Sequence, residues 1–112
     1  MPRTWKLNLL FATLVAAALW GVPWRAHAAG DRVRAGLELA QQFCVQCHMV
    51  APSSKQGWTD APTFEAIANR ENTTVSRLAA FIEQPHMHMI NTGRPPAEAN
   101  AIATYIVSLR KK

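Results

Sequence analysis

The spacing of apolar positions divides the chain at about residue 28. Ahead of that point Leu7 to Val22 form one mostly apolar stretch, and beyond it apolar residues recur at intervals of three and four, the mark of helices with one buried face. Asp31 is a candidate N-cap for a helix running to about Phe43, with Val33, Gly36, Leu37, Ala40 and Cys44 on one stripe. A polar loop with Pro52, Ser53, Ser54 and Gly57 follows. A short helix is predicted from Thr63, burying Phe64 and Ile67. Thr73 or Thr74 caps a third helix whose inner face is Leu78, Phe81 and Ile82, and Pro85 closes it. The last helix starts at Pro95-Pro96, places Glu98 in its first turn and buries Ile102, Tyr105, Ile106 and Leu109. The pattern contains no strand run, no internal repeat and no low-complexity segment, so the expected class is all-α with about four short helices.

The opening segment reads as a secretory signal. Arg3 and Lys6 precede the apolar stretch, and Ala26-His27-Ala28 supplies small residues at the spacing a signal peptidase reads. A retained anchor is the alternative, but Asn8 and Thr13 interrupt the stretch, which falls short of the roughly 20 residues a spanning helix needs. The expected organisation is therefore a cleaved leader over residues 1–28 and one domain over 29–112.

Export changes the charge. Of 12 basic residues, Arg3, Lys6 and Arg25 leave with the leader while all seven acidic residues stay, so the net charge falls from +5 to +2. That excess is too small for a nucleic-acid protein, which needs a dense basic stripe. Arg110, Lys111 and Lys112 cluster at the end of the last helix, where they read as solvated residues complementing its dipole.

About 84 residues remain, a size at which chains gain stability from a disulfide, a metal or a cofactor. The two cysteines, Cys44 and Cys47, are followed directly by His48. A disulfide between them would close a tiny loop and constrain the unfolded chain little. A thioredoxin-like site needs a βαβ setting, and zinc needs a second pair of ligands at zinc spacing. Neither is present. Haem attachment fits: two thiols at this spacing can add to the two vinyl groups of one haem, and the adjacent His48 imidazole then lies under the iron as proximal ligand.

With these residues in view, the chain from about Asp31 to its C-terminus resembles a class I cytochrome c. The resemblance implies a fold of about four short helices around one covalently bound haem c. It implies that Gly36, eight residues before Cys44, lies where the first helix crosses the last and meets an aromatic residue, here Tyr105. The family usually has an aromatic residue between that glycine and the cysteine, where this chain has Ala40. The resemblance also implies that the Pro62 carbonyl accepts the second N–H of His48, fixing the ring and strengthening it as a donor; Pro62 can equally begin the short second helix.

Four side chains in Pro85-His86-Met87-His88-Met89 could provide the sixth ligand. The segment is similar to the Pro-His-x-x-Met of small bacterial members of the family, which puts the iron-bound sulfur at Met89. Met87 serves if the loop shifts by two residues, and His86 and His88 are the imidazole alternatives. Met49, beside His48, is on the wrong face. Trp58 either covers a propionate or fills a gap, and Arg94 is either a propionate partner or a surface residue.

The resulting expectation is a periplasmic, monomeric single-electron carrier and not an enzyme, with Cys44, Cys47, His48 and Met89 holding the haem, and His48 and Met89 ligating its iron. It would have no nucleic-acid partner and no membrane contact after cleavage. Its redox partners would be a periplasmic dehydrogenase, a membrane cytochrome complex or an oxidase. A haem-based sensor or a peroxidase-like protein, with an open or labile distal position, is the alternative.

Overall fold

A computed structural model of the chain describes residues 24–54, 60–86 and 93–112. Four α-helices, and no strand, are formed among them: α1 (Trp24–Phe43), α2 (Phe64–Ala68), α3 (Val75–Ile82) and α4 (Pro96–Ser108). None is long and apolar enough to cross a membrane.

The first helix starts earlier than its candidate cap. Asp31 lies inside α1, because the Ala-rich, Arg-containing run ahead of it favours helix and contains no proline after Pro23 to stop it. Its carboxylate accepts instead from Arg34, at 3.3 Å one turn on. Residues 24–28, assigned above to the leader, are thus helical; residues 1–23 lie outside the described residues.

α1 and α4 cross at Gly36. A Cβ built there would stand 2.7 Å from both the Ala101 carbonyl carbon and the Tyr105 Cβ, with the Ala101 oxygen nearer still. Only hydrogen fits, so the glycine sets how closely the two helices approach. Ala40, one turn further along α1, is fully buried; a small residue keeps the close approach open where the family places an aromatic ring. The core around this crossing contains Ala40, Val50, Phe64, Ala68, Ile102, Tyr105 and Ile106, with Leu37 and Leu109 packed at its margin.

α2 and α3 are short and depend on their caps. The Thr63 hydroxyl accepts from the Ala66 N–H at 3.1 Å, and Phe64, 3% exposed, enters the core. Thr74 caps α3 by accepting from the Arg77 N–H at 3.2 Å. Thr73 is used differently, since its hydroxyl donates to the Ile67 carbonyl at 3.0 Å and ties the turn back to α2. Within that turn Asn72 takes a left-handed φ of 59°, which asparagine tolerates better than most residues.

The inner face of α3 is rotated from the one expected. Val75, Leu78 and Ile82 pack around Ala79 against Ala99 and Ala103 of α4, and this i, i+3, i+4, i+7 stripe leaves Phe81 outside it, 57% exposed. Leu78, Phe81 and Ile82 satisfy helical spacing equally well in the sequence, but an alanine-on-alanine seam allows tighter contact with α4 than a phenylalanine would.

The basic C-terminus is exposed, as expected, but its contacts are not made to its own helix. α4 ends at Ser108, so Arg110 and Lys111 extend past it to the end of α2. Arg110 donates from Nε to the Ala68 carbonyl at 3.0 Å and from Nη2 to the Thr73 carbonyl at 2.5 Å. The Lys111 N–H donates to Asn69 Oδ1 at 3.0 Å, and its ammonium pairs with Glu65 at 2.5 Å. Arg110 therefore complements a C-terminal carbonyl of α2 and the turn after it, and Lys111 a carboxylate of α2, rather than the end of their own helix.

Candidate functional site

α1 passes directly into the Cys44-Val45-Gln46-Cys47-His48 segment. The Cys44 N–H still donates to Ala40 O at 2.8 Å, and the chain then turns so that the N–H groups of Cys47 and His48 donate to Cys44 O at 3.2 and 2.9 Å. This turn gathers the two sulfurs and the imidazole at the end of α1. Beyond it Met49 O accepts from the Phe64 N–H at 3.0 Å, and the buried Tyr105 hydroxyl donates to Val50 O at 2.8 Å. The segment that leaves the turn is thereby fixed to both α2 and α4.

The His48 ring is oriented from behind. Its Nδ1 lies 2.7 Å from Pro62 O; a carbonyl only accepts, so Nδ1 carries the proton and Nε2 keeps its lone pair. Phe64 packs beside the ring, with centroids 5.4 Å apart. Fixing one nitrogen on a carbonyl and leaving the other to donate is the arrangement a metal-binding histidine requires. The residues present therefore fit a haem held by two thioethers with His48 beneath its iron. Pro62, just before the Thr63 cap, also leads into α2, so both readings of that proline hold together.

The Cys44 thiol is raised to about 11, chiefly by burial, with Cys47 adding to the shift and Arg94 opposing it. A neutral sulfur is what this environment favours, and a thioether is neutral.

Arg94 is neither a bare surface residue nor one with its guanidinium unpaired. Nε and Nη2 donate to Glu98 Oε2 at 2.8 and 2.5 Å, and the guanidinium carbon stands 3.7 Å over the Phe43 ring. Its backbone N–H donates to Ile82 O at 3.0 Å. Arg94 thus joins the ends of α1, α3 and α4 beside Cys44. The spacing of four between Arg94 and Glu98 is visible in the sequence; the Phe43 contact is not.

Of the distal candidates, His86 lies among the described residues. Its ring centroid is 6.5 Å from that of His48 and 4.6 Å from that of Phe81, and its Nδ1 is 3.4 Å from Gln84 O. Met87, His88 and Met89, and also Trp58, lie outside the described residues.

No family model matches the chain, and no solved structure matches it. A curated relative does: cytochrome c-552 of Bradyrhizobium diazoefficiens is 37% identical over 75 residues, which cover 67% of this chain and 72% of the relative. Identity at that level across most of both chains, joined to a four-helix fold that presents Cys44, Cys47 and His48 on one turn, makes the chain a member of the class I c-type cytochromes, electron-transfer proteins, with one covalently bound haem c.

Proposed function

We propose that the chain is a periplasmic, monomeric single-electron carrier whose haem is bound through Cys44 and Cys47 and whose iron is ligated by His48 and Met89. The observation that carries this reading is the Pro62 carbonyl on His48 Nδ1, which prepares one strong, permanent axial donor. The haem supplies a one-electron couple. The residues around it bind and orient. Cys44 and Cys47 would hold the porphyrin edge, His48 would donate from Nε2, and Met89 would supply the second protein ligand and so keep small ligands off. Methionine with histidine gives a higher potential than two histidines, which suits a carrier working late in a chain.

Export follows from the leader pattern of residues 1–28, and the net charge of +2 expected after cleavage suits brief docking to an acidic face. Such encounters are small and transient. A periplasmic dehydrogenase, a membrane cytochrome complex or an oxidase would serve as partner.

The test is optical. The oxidised holoprotein should show the weak far-red sulfur-to-iron charge-transfer band, and Met89→Ala should abolish it and lower the potential, while Met87→Ala retains it. A wild-type protein without the band that binds carbon monoxide readily would favour a sensor or peroxidase-like protein instead.

A further inference from the structure

The His86 ring stands 6.5 Å from the His48 ring, centroid to centroid. Two imidazoles on opposite faces of one metal, each with a metal–nitrogen bond of about 2 Å, have ring centres roughly 6 Å apart. The two separations agree. The angle of 52° between the rings is compatible with such a pair, because each ring can rotate about the shared axis and still direct a nitrogen at the metal. Both rings have Nδ1 on the side of a backbone carbonyl, tightly for His48 at 2.7 Å from Pro62 O and loosely for His86 at 3.4 Å from Gln84 O, so His48 has a fixed Nε2 donor and His86 a ring turned the same way. Phe81, which the packing of α3 leaves exposed, covers the His86 ring at 4.6 Å and limits where it can swing.

We propose that His86 is a second distal iron ligand, taking the sixth position when the Met89 thioether leaves it; the order of exchange rests on the Met89 reading above. One iron–sulfur bond breaks and one iron–nitrogen bond forms from the neutral Nε2 lone pair, with no electron or proton transferred. The consequence is a protein with two potentials, the higher with methionine bound and the lower with two imidazoles, and with no open iron in either state.

The test uses holoprotein variants, with spin state read by electron paramagnetic resonance and optical spectra, and carbon monoxide affinity read on the reduced form. Met89→Ala should remain low-spin. Met89→Ala/His86→Ala should become high-spin and bind carbon monoxide at least about tenfold more tightly, since a competing internal ligand lowers the binding-competent fraction. Met89→Ala/His88→Ala should stay low-spin. Peroxide treatment, which converts methionine thioethers to sulfoxides, checks the same exchange without a variant at position 89: treated wild type should stay low-spin and treated His86→Ala should not. A high-spin Met89→Ala that binds carbon monoxide as tightly as the double variant overturns the proposal and leaves the Met89 reading intact. Dependence on His88 rather than His86 overturns it as well. A wild type lacking the far-red band, whose low-spin state is lost in His86→Ala, would refute Met89 as resident ligand while upholding His86 as a ligand.

Discussion

Gly36 on α1 lies against the backbone of Ala101 on α4, with no room between them for a methyl group. The two helices are packed through this point and both position the haem turn: α1 leads into Cys44, and α4 holds Val50 through Tyr105. Gly36→Ala should lower the stability of the holoprotein by about 1–3 kcal/mol, measured by denaturant unfolding, and Gly36→Val by more. A Gly36→Ala protein as stable as wild type would show that the crossing is looser than described.

Haem attachment gives the second prediction. Cys44→Ala and Cys47→Ala should each yield a chain with at most one thioether, and His48→Ala should fail to mature, because each residue makes a separate bond. Mass spectrometry after extraction with acid and organic solvent distinguishes these outcomes. Haem that could be extracted from the wild-type protein would contradict covalent attachment.

Tyr105, the chain's one tyrosine, has its hydroxyl on Val50 O at 2.8 Å, and burial raises its pKa above the usual value. The folded state keeps this proton to higher pH than the unfolded chain does. The contribution to stability is therefore complete below about pH 10 and is lost as pH rises through the folded value. Tyrosinate absorbance in the native protein should appear only above that ordinary pKa, and Tyr105→Phe should cost about 1 kcal/mol. Titration at or below the ordinary value would refute the buried hydrogen bond.

Arg94 contacts Glu98 and the Phe43 ring with one guanidinium. Arg94→Ala loses both contacts and should cost about 1–2 kcal/mol, whereas Glu98→Gln loses the ion pair alone and should cost no more than about 1 kcal/mol. The order of the two variants, read from thermal unfolding, is the discriminating observation; equal losses would mean that the ring contributes nothing.

At the opposite end, Arg110→Ala should cost about 1–2 kcal/mol by removing donors from the Ala68 and Thr73 carbonyls. Lys112→Ala should be close to neutral. If the two behaved alike, Arg110 would be ordinary solvated surface.

The amino-acid sequence by itself determined the chemistry and the helices. Cys44, Cys47 and His48 are contiguous enough that one turn must gather them, and Thr63 and Pro96 begin their helices through local capping and backbone geometry, which neighbouring residues decide, while Thr73 and Thr74 were equal candidates until Thr73 bonded to Ile67 O. The start of α1 is not legible in the same way, because Asp31 is an equally good cap or interior residue until the preceding segment is known to be helical. Tertiary structure decided what depends on alternatives of similar local energy. The choice between Ala79 and Phe81 for the inner face of α3 was made by the alanines of α4, and the destination of Arg110 by where the end of α2 comes to rest. The same holds for the distal side: spacing alone leaves His86 among four candidates, and its 6.5 Å separation from His48 exists only once residues far apart in sequence are brought together by packing.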